Sequence, residues 1–206
     1  EVVMYQEHHS EDHDQNAPLW DDKTVEWYVA EYGNHISNAM TIHHAGLKTE
    51  DHLLDIGCGS GTACREAAKI ITKGTITGID PTPGMIRIAN EQTSNDIKHI
   101  HFLEGGTEEI PLPSSSITIC TAINSLHHWS DYKKGFEEVL RVLMPGGRLI
   151  ISDEIVVNDS CGHGDGSLSD PDKVTKEIEN AGFSNVSLEK HEENGEGIYL
   201  FRAENS

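Results

Sequence analysis

The feature that most constrains this chain is an apolar run that ends in glycines, LLDIGCGSGT at residues 53–62. Leu53, Leu54 and Ile56 read as a buried strand, and Gly57, Gly59 and Gly61 let the backbone turn at once into a helix. A strand that runs straight into a helix rejoins its sheet by a crossover, which commits the chain to parallel pairing.

The rest of the sequence repeats that plan. Apolar runs at 52–56, 75–79, 100–104, 117–123 and 148–153 read as strands, and the segments at 62–72, 84–92 and 132–143 as helices. MPGG at 144–147 reads as the turn that stops one helix and launches the fifth strand. A polar Gly/Ser/Asp loop follows, then a helix at 172–181 and strands at 186–190 and 198–202. The turn at 194–197 is short, so the last two strands are expected to pair antiparallel at the end of the sheet. The expected fold is one α/β domain over 47–206. It is a Rossmann-like, doubly wound, seven-stranded and mostly parallel sheet with a C-terminal antiparallel hairpin and helices on both faces.

Two segments precede that core. Residues 1–16 are crowded with acids and histidines and read as a solvated, disordered tail. His8, His9 and His13 offer at most a weak metal site there, and no metal site is assigned. Residues 17–46 read as helical, divided at Gly33 and stopped at Gly46, with Trp20, Trp27, Tyr28 and Tyr32 as their main apolar material. The loop at 153–171 is too polar to cover a reacting group, so 17–46 is expected to form a lid over the carboxyl ends of the strands.

Charge and cysteine usage exclude some functions. Fifteen Lys and Arg against 35 Asp and Glu give a net charge of −20, which opposes binding to a phosphate backbone. No apolar run approaches the length of a membrane span, and no secretory-leader pattern opens the chain, although a start at Glu1 leaves room for one to have been removed. Cys58, Cys64, Cys120 and Cys161 make no disulfide framework and no compact thiol set, so a cytoplasmic setting is expected.

The chemistry concentrates at the glycine loop. The dinucleotide fingerprint begun at Gly57 and Gly59 needs a third glycine where Thr62 stands, which weighs against a nicotinamide oxidoreductase. The second strand runs into Asp80, an acid placed to accept hydrogen bonds from a ribose diol. A glycine loop and an acid at neighbouring strand ends describe a ligand with a nucleoside and no diphosphate.

These residues resemble the class I S-adenosylmethionine-dependent methyltransferases, near the ubiquinone/menaquinone-biosynthesis type. The resemblance runs from about 53 to 203 through DIGCGSG, GIDPTPGMIRIA, EGGTEEIPLPSSSITI, NSLHHW and EVLRVLMPGGRLIISD, in the family's order. It implies that Asp55, Gly57 and Gly59 hold the amino-acid end of S-adenosyl-L-methionine, with Cys58 a small residue inside the loop and Gly61 making room for the helix. It further implies Asp80, followed by Pro81, at the ribose, Met85 near the adenine, and Asn124 facing the methionine part. Relatives often carry Asp where Gly106 stands, so the adenine amino group is left to the backbone of Gly106 and Thr107 or to Glu108.

The family's reaction is an in-line displacement in which the cofactor supplies the activated carbon, and the protein aligns the acceptor and excludes water. His127 and His128, just past the fourth strand, are the candidates for a base. The expected activity is methyl transfer to a small-molecule acceptor by a monomer or homodimer, with no nucleic-acid or membrane partner. The alternative is a non-catalytic regulatory domain that binds S-adenosylmethionine or S-adenosylhomocysteine.

Overall fold

A computed structural model describes residues 20–155, 170–193 and 195–206. The tail at 1–16, the first residues of the lid segment, Cys161, Asn194 and most of the 153–171 loop lie outside the described residues.

Two helices come first, α1 (Asp22–Tyr32) and α2 (Ile36–His44), followed by β1 (His52–Ile56), α3 (Thr62–Ala67), β2 (Thr75–Asp80) and α4 (Pro83–Gln92). Next are β3 (Ile100–Glu104), β4 (Ile117–Ile123), a 3-10 turn at Leu126–His128, α5 (Tyr132–Val142), β5 (Leu143–Glu154), α6 (Pro171–Asn180), β6 (Ser184–Glu193) and β7 (Glu196–Glu204). The seven strands form one sheet in the order β3-β2-β1-β4-β5-β7-β6. Pairing is parallel from β3 to β5 and antiparallel for β5–β7 and β6–β7.

Strand alternation sorts the core into two layers. Leu54, Ile56, Cys120, Ala122, Leu149 and Ile151 face Phe136, Val139 and Val142 of α5 and Val174 and Ile178 of α6. Leu53, Ile76, Ile119 and Ile150, on the other face, pack on Met40 and Ile42 of α2, Ala63, Cys64 and Ala67 of α3, and Ile86 of α4. Helix α1 lies outside this layer, where Val25 packs on Met85 and Ile88 of α4.

The structure corrects several boundaries. Helix α3 ends at Ala67, not 72, because the chain must swing back to start β2. At Gly74 it passes so close to Asp51 that a Cβ there would lie 1.8 Å from the Asp51 carbonyl oxygen. Strand β5 begins at Leu143, which already pairs with Ile117, and the MPGG segment is a bulge between that pair and the Ile119–Arg148 pair rather than a turn before the strand. The hairpin strands are longer at both ends than their apolar runs, because ladder bonds continue through the charged residues of an edge strand. Gly33 and Gly46 divide and stop the helical stretch as read, with Gly46 in the left-handed region at φ 66°. Among the described residues, no helix is long and apolar enough to cross a membrane.

Candidate active site

After β1 the chain moves to one side of the sheet for β2 and β3, then to the other for β4 and β5. The carboxyl ends of β1 and β4 therefore flank the point where the winding reverses, which in open α/β sheets is where ligands bind. The loops after these strands meet closely. Gly57 has φ 70°, and a Cβ on it would lie 2.6 Å from the Ser125 Cβ, so this position admits only glycine. Gly61 has φ 78°, and a Cβ there would sit 2.6 Å from the Phe102 ring. Gly59 differs: its φ is 51°, and nothing lies within 4 Å of where a Cβ would be. Its backbone borders open space.

Two acids underlie this loop. Asp80 accepts from the Gly59 N–H at 3.0 Å with one oxygen and from the Thr82 N–H at 2.9 Å with the other, so it holds the loop to the end of β2. A carboxylate offers about four acceptor positions, which leaves room for a diol. Asp55 sits behind the loop, accepting from the Thr121 hydroxyl at 2.7 Å with the Cys64 thiol at 3.6 Å. Burial, with the Asp80 charge adding to it, pushes Asp55 up to about 6, and burial also raises Asp80. Both sites disfavour an uncompensated negative charge. Burial likewise raises the thiols of Cys58, Cys64 and Cys120, so none is poised as a thiolate.

The adenine-side candidates fall beside Asp80. The Gly105 N–H donates to the Asp80 carbonyl at 3.1 Å, which brings Gly106 and the buried Thr107 to the end of β2. Glu108 is turned elsewhere: its Oε1 accepts from the Ser130 hydroxyl at 2.7 Å and from the N–H groups of Ser130 and Asp131. These donors hold its carboxyl below the usual range against the opposing effect of burial. Met85 is buried against Val25 of α1, and Pro81 links Asp80 to the start of α4.

On the β5 side the structure assembles residues the sequence did not mark. His127 Nδ1 lies 3.0 Å from Asp153 Oδ2, and the rings of His127 and His128 are 4.1 Å apart. Asn124, at φ 48°, donates through Nδ2 to Glu154 Oε1 at 2.7 Å and to Ser37 Oγ at 2.9 Å. His35, which precedes α2, approaches Glu154 at 2.9 Å. Thr41 and Ser152, both fully buried, share a 2.6 Å hydrogen bond. Asp153 and Glu154 could have been found by the reasoning used for Asp80, since both are acids at a strand's carboxyl end. Ser37, Thr41 and His35 carry no such signal.

Helix α1 reaches the same end of the sheet. Burial pushes the Tyr28 phenol up, and the charges of Glu154, Asp80 and Asp153 add to the shift. Tyr28 also packs on Trp20 and Tyr32, with ring centroids 4.8 and 5.1 Å away. His44, at the end of α2, is stacked on His191 at 3.8 Å.

A family described as the methyltransferase domain matches residues 54–151. The uncharacterized methyltransferase YdaC of Bacillus subtilis is 28% identical over 125 residues, covering 61% of this chain and 68% of its own. The ubiquinone/menaquinone biosynthesis C-methyltransferase UbiE of Campylobacter jejuni is 33% identical over 110 residues, covering 51% of this chain and 45% of its own. The crystal structure of a SAM-dependent methyltransferase from Aquifex aeolicus superposes with a TM-score of 0.73 at 22% identity, covering 91% of this chain and all of that one. The chain spans about half the length of most of the curated relatives it matches. Residues 54–151, with the glycine loop and Asp80 at the strand ends, thus match the methyltransferase domain family, and the chain shares the fold of a SAM-dependent methyltransferase.

Proposed function

We propose that this protein transfers a methyl group from S-adenosyl-L-methionine to a small-molecule acceptor. The observation that carries the reading is the crevice at the winding reversal, where a glycine loop with one open Cβ position meets an acid with spare acceptor capacity. The residues fit the cofactor on three further counts. Two buried acids with raised pKa values favour a ligand that brings positive charge. Asp80 suits a ribose diol. The carboxamide oxygen of Asn124 is buried with no hydrogen-bond partner, as suits an acceptor reserved for a ligand.

In this reading Gly57, Cys58, Gly59 and Gly61 form the backbone cradle for the amino-acid end, with Asp55 behind it. Asp80 and Pro81 border the ribose, and Gly106 and Thr107 border the adenine. Met85 supports that wall through α1, and Glu108 fixes the neighbouring turn. The cofactor supplies an electrophilic methyl carbon when bound. The chain aligns the acceptor, shields it from water and receives any proton the acceptor loses. His127 is the better placed of the two histidines. Donation of its Nδ1–H to Asp153 puts the imidazole lone pair on Nε2, the form in which it acts as a base. Helix α1 and the start of α2 at His35 and Ser37 form the lid. The rest of α2 packs on the sheet face as core, against the expectation that all of 17–46 covers the strand ends. The UbiE-like subtype, a cytoplasmic setting, a monomeric or homodimeric state and the absence of a nucleic-acid or membrane partner belong to the same proposal.

The test is transfer of labelled methyl to a panel of small acceptors, with wild type, His127→Ala and His128→Ala compared at equal cofactor occupancy. The reading expects turnover in wild type, with His127→Ala lowering it more than His128→Ala. Cofactor binding without transfer to any acceptor class would contradict it and leave a binding domain.

A further inference from the structure

The buried Asn124 oxygen raises a question of orientation. A carboxamide has a donor side and an acceptor side of nearly the same shape, and its surroundings decide which way it faces. Here the choice is forced. Glu154 Oε1, an acceptor when ionised, lies 2.7 Å from the Asn124 nitrogen, and Ser37 Oγ lies 2.9 Å from it. The reversed amide would set its oxygen against a carboxylate. Glu154 is itself held in place, with His35 Nδ1 at 2.9 Å and the Ser37 hydroxyl at 3.5 Å. In the sheet, β4 lies between β5, which carries Glu154, and β1, which leads into the glycine loop. With the amide nitrogen held by Glu154 and Ser37, the oxygen lies on the other side of the amide, away from both. That oxygen is the one buried without a partner.

We propose that Glu154 is a positioning residue of the cofactor site: by binding the Asn124 nitrogen, it presents the Asn124 oxygen as an acceptor for the amino group of the cofactor. The inference rests on the methyltransferase reading above. It also explains why Asn124 holds a left-handed backbone conformation that asparagine tolerates better than most residues. Because His35 and Ser37 begin α2, docking of the lid and orientation of the amide share one carboxylate.

The experiment is calorimetric titration of S-adenosylhomocysteine and of 5′-methylthioadenosine, which lacks the amino-acid arm, into wild type, Glu154→Ala, Glu154→Gln and Asn124→Ala. Loss of one hydrogen bond to a charged group corresponds to about a 10-fold or greater loss of affinity. Glu154→Ala and Asn124→Ala are each expected to weaken S-adenosylhomocysteine by about that factor and methylthioadenosine by less than about twofold. Glu154→Gln, whose amide oxygen can still accept from Asn124, is expected to retain most of the affinity. Adding Glu154→Ala to Asn124→Ala should cost nothing further. Equal losses for the two ligands, or no loss in either single variant, would overturn the proposal and leave Glu154 a structural residue. If Glu154→Ala does not fold by circular dichroism, the same comparison with Asn124→Ala decides, since wild-type affinity there overturns the proposal too. Failure of wild type to bind either ligand would instead overturn the methyltransferase reading.

Discussion

The two sides of the crevice are built by different means. On the β1–β2 side, backbone sets the geometry: glycines at positive φ, with Gly57 and Cys58 N–H groups both donating to the Ile79 carbonyl at 2.9 Å. On the β4–β5 side, polar side chains set it, and they join residues far apart in the chain, as Ser37 and Thr41 of α2 do with Asn124, Ser152 and Glu154. A backbone cradle is rigid and suits an invariant ligand. A polar seam can be rebuilt residue by residue, so beyond the Asn124 contact to the cofactor it suits the part of a site that differs between acceptors.

The contrast is sharpest within the glycine loop, where the largest effects are expected. Gly57→Ala brings a left-handed alanine and a clash with Ser125, and should destabilise the fold by roughly 2–5 kcal/mol. Gly59→Ala meets no neighbour and should cost only about 1–2 kcal/mol for its φ, yet weaken the cofactor strongly, because its Cβ enters the ligand's space. Urea unfolding beside calorimetry separates the two. Equal stability losses would contradict the assignment of the open position.

Next in size is the buried charge behind the loop. The pKa of Asp55 rises from 3.8 to about 6 in the folded protein, so between those values the native state holds the extra proton. Its contribution to stability therefore falls as pH rises through that window, by up to about 3 kcal/mol. Asp55→Asn should be more stable than wild type at pH 8 by some part of that amount, and the difference should close below about pH 4. Thermal melts of both proteins across pH check it, and a constant difference would contradict the buried-charge account.

The polar seam gives a smaller effect. Thr41→Val leaves the Ser152 hydroxyl buried without its partner and should cost about 1–2 kcal/mol. The smallest effect belongs to the outer face of α1. Trp27 is 57% exposed, and its replacement by Ala should change stability by less than about 0.5 kcal/mol. A large loss there would place a hidden contact where the structure shows an exposed ring.

The difference between the two sides also explains what could be read from sequence. Backbone turns leave a local signature, so DIGCGSG and the acid ending β2 located the loop and Asp80. The neighbour of Met85 was not legible, because Val25 meets it only after α1 folds back across α4. The seam was invisible for the same reason. His35 and Ser37 are 119 and 117 positions from Glu154, and a serine or histidine at a helix start reads first as a cap. Of the acid pair at the end of β5, only Glu154 lies beyond the strand as read at 148–153; Asp153 was legible by the reasoning used for Asp80. The MPGG segment misled because a bulge and a turn use the same glycines.

The central claim is that the backbone-built side binds S-adenosyl-L-methionine with Asp80 at its ribose. The most direct measurement is calorimetric titration of that cofactor into wild type and Asp80→Ala, with circular dichroism to confirm that both are folded. The account predicts saturable one-to-one binding in wild type and a loss of roughly 1.5–3 kcal/mol, about 10- to 150-fold in affinity, in the variant. No binding in wild type, or the same affinity in a folded Asp80→Ala, would contradict it.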